Sequence, residues 1–194
     1  ADRGGALQVH ESYIVAQDDQ GIVIIDQHAL HERVMFEKLK GRIGQGTLES
    51  QRLLMPAVVR VDGRQREVMG ELAELLERLG IEASEIGPGE IGVHSFTTLL
   101  IERGVEPGQF MGELLSHAVE KGLDKNNTEG ALHEVLDMMA CKAAVKAGDK
   151  LTPGEIDELL KYRDRVERSS NCPHGRPTSL RLSLAELERK FGRR

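Results

Sequence analysis

The chain has 194 residues, 39% hydrophobic and 30% charged, enough for one large domain or two small ones with a real core. Its net charge of −6 argues against a strong nonspecific nucleic-acid binder. No apolar run approaches the roughly 20 residues that span a bilayer, no signal peptide opens the chain, and only Cys141 and Cys172 are available to pair, so a reduced cytoplasmic protein without membrane contact is expected.

Residues 6–17 alternate as a strand through Leu7, Val9 and Val15. Asp18-Asp19-Gln20-Gly21 is a turn signal. Ile22-Val23-Ile24-Ile25 is a short apolar strand, so the two strands predict a hairpin whose second strand is buried on both faces. A helix is expected over 28–40, ended by Gly41, then a Gly-rich loop to Ser50. A strand around Pro56 stops at Asp62-Gly63.

Over 65–79, Val68, Leu72, Leu75, Leu76 and Leu79 form one helical stripe closed by Gly80. Strands near 81–86 and 91–96 flank Gly87-Pro88-Gly89, and helices follow near 108–121 and 129–147. Thr152-Pro153-Gly154-Glu155 combines an N-cap, a proline at the first helical position and a capping-box glutamate. Cys172-Pro173-His174-Gly175-Arg176-Pro177 reads as a rigid loop. Leu180, Leu182 and Leu184 alternate as a strand, and Ser183 with Glu186 caps a last short helix. The class is α+β, with strands at both chain ends able to share one sheet.

Charge is uneven along this order. Residues 161–194 hold ten Lys/Arg against four Asp/Glu, which gives +6 there and leaves −12 over residues 1–160. The basic end permits local phosphate contact, and a solvated tail is the simpler reading.

Two segments carry candidate metal chemistry. Asp26 stands where a buried strand gives way to a helix. His28 and Glu32, four residues apart, share a helix face that also bears Met35, Phe36 and Leu39. A half-buried carboxylate needs a partner, and a metal ion is one; a helix cap at Asp26 and a His28–Glu32 hydrogen-bonded pair is the alternative. The order His28-Ala29-Leu30-His31-Glu32 is not the His-Glu-x-x-His of a zinc protease, and His31 reads as an edge residue. Cys172 and His174, one residue apart between prolines, would complete a mixed N/O/S set for zinc.

The motif Asp26-Gln27-His28-Ala29-Leu30-His31-Glu32, continued to Glu37, resembles the DQHA(x)2E(x)4E pattern of the MutL family of DNA mismatch-repair proteins. The stretch Ala140-Cys141-Lys142 to Asp149 is similar to that family's ACxxxxKAxD helix, and Cys172–Pro177 to its C-P-H-G-R-P loop. The resemblance implies the endonuclease-competent C-terminal domain of a bacterial protein, nicking one strand of duplex DNA by phosphodiester hydrolysis. Asp26, His28 and Glu32 would be catalytic. Asp26, His28, Glu32, Cys172 and His174 would bind metal, with Cys141 close by, and Gln27, Glu37 and Arg176 would support them. Glu37 falls about 140° around the helix from Glu32, so it should not touch the ion. Zinc would be structural or regulatory, and manganese or magnesium catalytic through oxygen ligands such as Asp26.

Gln51-Arg52-Leu53-Leu54-Met55-Pro56 resembles the Q-x-L-L-x-P motif by which such endonucleases bind the replicative sliding clamp, and Gln51, Leu53, Leu54 and Pro56 would make that contact. A strand entering the core is the other reading of this segment. The resemblance further implies a homodimer, weak binding of duplex DNA by the isolated domain, and contact with the mismatch-recognition protein MutS through the full-length protein. It implies two subdomains: 1–50 with 150–194 for dimerisation, carrying most of the metal site, and 51–149 as a smaller inserted regulatory part. No phosphate-binding glycine loop for ATP is present, and Ala1 in place of Met reads as a fragment, so the family's ATPase region is expected upstream. A non-catalytic, zinc-stabilised dimerisation and clamp-binding module is the competing expectation.

Overall fold

In a computed structural model of the chain the described residues are 5–123, 126, 128–145, 148–166 and 178–193. The backbone divides into two compact units, Ala1–Met35 with Ala144–Arg194, and Phe36–Ala143. The division falls inside one helix.

The first unit is a four-stranded antiparallel sheet with helices. Its strands are β1 (Leu7–Val9), β2 (Tyr13–Asp18), β3 (Gly21–Asp26) and β7 (Ser179–Ser183), in the order β1-β2-β3-β7. The expected strand over 6–17 is thus two strands, broken at His10 and Glu11. Both hold left-handed φ angles, 51° and 50°, which are costly for residues with a Cβ. The two ends of the chain do share a sheet, with Ile22 facing Leu182 and Ile24 facing Leu180.

Alternation decides what each face does. Ile14, Val23 and Ile25 point into a core with Leu30 and Val34 of α1 (Gln27–Ile43) and Ile156, Leu159 and Leu160 of α7 (Pro153–Val166). Full burial of each such side chain contributes about 1.5–3 kcal/mol. The opposite face presents Val15, Ile22, Ile24 and Leu182, half-buried, with Leu7, Tyr13 and Leu180 exposed at 66%, 47% and 64%. Within this chain β3 is therefore buried on one face, not both.

Local chemistry sets the ends of these elements. Thr152 Oγ1 and the Glu155 carboxylate cap α7 reciprocally, and Ser183 and Glu186 do the same for α8 (Leu184–Lys190). Gly41 does not stop α1, which runs on to Ile43. At Gly21 (φ +147°) a Cβ would come 2.1 Å from the Leu182 carbonyl oxygen, so only glycine lets β7 close against the hairpin turn. Asp18 then ties that turn to β7 through the two terminal guanidinium nitrogens of Arg181, Nη1 and Nη2, at 2.8 Å each.

The second unit holds β4 (Ser50–Arg60), α2 (Gly63–Glu71), α3 (Ala73–Arg78), β5 (Glu82–Gly87), β6 (Glu90–Thr97), α4 (Thr98–Glu102), α5 (Pro107–Lys121) and α6 (Thr128–Ala143). Its antiparallel sheet has the order β4-β6-β5, and α5 packs on β4, β6 and α2. Ile91, Val93, Phe96, Leu100, Phe110, Met111, Leu114, Val135 and Met139 are fully buried, with Phe96 and Phe110 edge to face at 5.4 Å. The single helix expected over 65–79 is two, because Leu72 (φ −94°, ψ 4°) interrupts it while keeping its side chain in the core. Asp62, expected only to end a strand, forms a capping box with Gln65. No helix among the described residues is long and apolar enough to cross a membrane.

Gly21→Ala should lower the unfolding free energy by about 1–3 kcal/mol through backbone strain, read by urea denaturation. The Arg181 guanidinium holds the Asp18 carboxyl at about 2, below its ordinary 3.8. A depressed carboxylate adds stability that is present above pH 3.8 and lost as pH falls through about 2. NMR titration of Arg181→Gln should return the Asp18 midpoint toward 3.8.

Candidate functional site

β3 ends at Asp26 and α1 begins at Gln27. Asp26 Oδ1 accepts the Ala29 N–H at 3.0 Å, capping the helix. Its own N–H donates to the Thr178 carbonyl, also at 3.0 Å, so the residue is anchored by its backbone while its carboxylate is exposed.

Gln27, beside it, is completely buried. Its N–H donates to the Ser12 carbonyl (3.0 Å) and its Nε2 to the Asp149 carbonyl (3.0 Å). Gln8 Nε2 donates to Gln27 Oε1 (2.5 Å) and to the same Asp149 carbonyl (2.8 Å), while Gln8 Oε1 accepts the Leu151 N–H (3.2 Å). The Gly148 N–H donates to the Glu11 carbonyl at 2.8 Å, so the strained β1–β2 turn and the chain entering α7 hold each other.

Two imidazoles grip one peptide residue. His28 Nδ1 lies 2.7 Å from the Val145 carbonyl oxygen, and the Val145 N–H lies 2.7 Å from His31 Nδ1. A carbonyl only accepts, so His28 must carry its proton on Nδ1, which leaves a lone pair on Nε2. A backbone N–H only donates, so His31 Nδ1 is the acceptor and the proton of the neutral ring sits on Nε2. That suits His31 to donate a hydrogen bond and not to bind a cation. At 8% exposure His31 is buried and no edge residue. Glu32, one helical turn beyond His28, is 4% exposed. A carboxylate so placed requires positive charge or hydrogen-bond donors around it.

The structure brings Gln27 onto the Asp149 backbone and His28 and His31 onto that of Val145. It does not gather Asp26, His28 and Glu32 into one ligand cluster: among the described residues no three His, Cys, Asp or Glu side chains are placed to hold a metal ion. Cys172, His174 and Arg176 lie outside the described residues. Cys141 is exposed on α6 in the second unit, and Glu37 is half-buried on α1. Lys142 Nζ pairs with Glu113 at 2.5 Å, which pulls the Glu113 carboxyl below its ordinary value.

In the second unit, β4 leaves its ladder where the clamp-like motif falls. Arg52 faces Ser95 and Ala57 faces Val93, so residues 53–56 stand opposite His94 alone. Pro56 has no N–H to give a ladder, and the three surplus residues form a bulge. Leu54 and Met55 are 105% and 80% exposed, Gln51 and Pro56 are exposed, and Leu53 is half-buried. The segment is a strand, as the second sequence reading had it, yet its apolar side chains point to solvent.

Reasoning from sequence passed over Gln8 and Ser12, and it quoted Val145 and Asp149 only within the family-like 140–149 stretch, with no contact assigned to either. Three of these act through backbone atoms, which no side-chain pattern reports. Gln8 sits in a three-residue strand too short to show periodicity.

The model of the MutL C-terminal dimerisation domain matches residues 6–151. The chain is 40% identical over 187 residues to the DNA mismatch repair protein MutL of Phenylobacterium zucineum, covering 96% of this chain and 30% of that protein. It is 37% identical over 189 residues to MutL of Brucella abortus, with coverage of 96% and 30%. To MutL of Caulobacter vibrioides it is 39% identical over 187 residues, with coverage of 96% and 29%. The chain belongs to the MutL C-terminal dimerisation domain family. It spans less than a third of the length of these relatives.

Because Leu54 and Met55 are exposed, the double change Leu54→Ser, Met55→Ser should leave stability within about 0.5 kcal/mol at each position. Matched urea curves for parent and variant would verify this, and would make the pair a clean probe of any partner contact.

Proposed function

We propose that the chain is the metal-dependent endonuclease half of a homodimeric mismatch-repair protein that nicks one strand of duplex DNA. The observation that carries this reading is His28, held with its Nε2 lone pair available one helical turn from the buried Glu32 carboxylate. These two donors fit a metal ion in chemistry but are too few to hold one, and Cys172 and His174 would supply the thiolate and second imidazole of a zinc set. Asp26, with one carboxylate oxygen engaged in the cap and the other directed to no cap N–H, would serve a harder ion such as manganese or magnesium. A metal bound there would neutralise phosphate charge and lower the pKa of a bound water. Asp26 fixes where that chemistry occurs, because its backbone is anchored to Thr178 and its side chain to the first turn of α1.

The first unit serves as the dimerisation part. The outer face of its sheet carries Leu7, Tyr13, Ile22, Ile24 and Leu180, an apolar surface suited to a second copy of the same sheet. The second unit serves as the regulatory part, offering the Leu53–Pro56 bulge to the sliding clamp. Contact with MutS and coupling to ATP would come through the full-length protein.

A second reading remains distinct: a non-catalytic, zinc-stabilised module for dimerisation and clamp binding. The balance of −12 over residues 1–160 favours it, since that surface repels DNA.

Elemental analysis should find zinc in the parent, reduced in both Glu32→Ala and His174→Ala with their folds intact; no zinc after remetallation would sink the shared site. A manganese-supported nicking assay then separates the readings. Asp26→Asn should abolish activity with the fold unchanged, whereas a parent without activity favours the module. Ile24→Asp should shift sedimentation from dimer to monomer, and an unchanged dimer would move the interface elsewhere.

A further inference from the structure

The tautomer of His28 is set by the Val145 carbonyl, and the chain that follows Val145 is itself held within the first unit. The chain from Val145 to Leu151 is pinned at four described backbone positions: Val145 by His28 and His31, Gly148 by the Glu11 carbonyl, Asp149 by Gln8 and Gln27, and Leu151 by Gln8. Gln8 reaches two of these positions and also Gln27. Its amide can be seated only one way. Nε2 faces two oxygens, Gln27 Oε1 and the Asp149 carbonyl, and Oε1 faces the Leu151 N–H; a flipped amide would set oxygen against oxygen at both contacts. Gln27 is in turn oriented by this contact. With Oε1 accepting from Gln8, its Nε2 is the atom left to donate to Asp149, and its backbone is joined directly to His28.

We propose that Gln8 is a positioning residue that fixes the His28 tautomer at a distance, with Nδ1 protonated and Nε2 bearing the lone pair. It does so by holding residues 149–151 and Gln27 in the arrangement that presents the Val145 carbonyl to the ring. Its consequence for metal rests on the reading of His28 as a ligand. Partners behind a ligating imidazole typically change metal affinity by about 10–100-fold when removed. Gln8 stands one step further back than the direct partner, Val145, whose carbonyl cannot be substituted away.

The test uses the whole chain, freed of metal with a chelator and labelled with nitrogen-15 in histidine. Long-range proton–nitrogen correlation spectra at a pH where the rings are neutral report each tautomer, and His28→Gln identifies the signals. The parent should show His28 protonated on Nδ1 and His31 on Nε2. Gln8→Leu, which removes all three contacts, should give His28 a mixture of tautomers while circular dichroism and amide dispersion stay native. Zinc affinity by chelator competition should fall, by less than the about 10–100-fold typical of a direct partner. Gln8→Glu keeps an acceptor for Leu151 but has no donor for Gln27 or Asp149, and should behave like Gln8→Leu; it decides the matter if the leucine variant fails to fold. A parent ring protonated on Nε2, or a folded Gln8 variant with an unchanged His28 tautomer, overturns the proposal. If the tautomer responds as expected while neither parent nor variant takes up zinc, the role of Gln8 stands and the metal reading falls.

Discussion

The pairing of β3 with β7 is the constraint on which the rest of the first unit depends. β3 is hydrogen-bonded on both sides, by β2 from its own hairpin and by β7 from the far end of the chain. Loop closure over such a separation costs entropy that grows only logarithmically with length, so a long excursion between the strands is tolerable. The demand instead falls on local chemistry. Gly21 must lack a Cβ for Leu182 to approach, and Asp18 must be charged for Arg181 to dock. With β7 in place, the Thr178 carbonyl takes the Asp26 N–H at the end of β3, and the start of α1 is fixed.

From that fixed start, two histidines one turn apart on α1 receive opposite assignments from a single residue of backbone. Val145 offers a carbonyl to His28 and an N–H to His31, so two chemically identical rings become one acceptor and one donor at Nε2. No charge is required for this, only two hydrogen bonds of fixed polarity in a partly buried place. The cost appears nearby, in left-handed His10 and Glu11, whose turn supplies the Glu11 carbonyl that pins Gly148. Backbone strain at this turn and the placement of Gly148 thus belong to one arrangement.

Much of the architecture was legible in the sequence wherever a local signal was strong. The Thr152–Glu155 and Ser183–Glu186 capping boxes are present as read, as are the β5–β6 hairpin around Gly87-Pro88-Gly89 and the terminal strand that joins the opening hairpin. The errors share one cause. The 65–79 stripe is apolar at helical spacing whether or not the backbone breaks at Leu72, because both short helices bury the same side. The alternation over 6–17 likewise does not register a turn, since no glycine or asparagine marks His10 and Glu11. Gly41 reads as a stop, yet intrahelical bonds carry α1 past it.

The sequence by itself determined the family and the α+β class, and it nominated Asp26, His28 and Glu32 around one strand-to-helix junction, with Cys172 and His174 far along the chain, as candidate ligands, because these depend on residue types at fixed spacing. What only the tertiary structure decided is how those groups are prepared. That His28 keeps Nε2 as an acceptor while His31 does not, that Gln27 is a buried clamp, and that Leu54 and Met55 face solvent on a bulge all follow from backbone atoms brought together by folding. A pattern of side chains cannot report such contacts, because every residue carries the same carbonyl and, proline apart, the same N–H, and only the fold settles which of them meet.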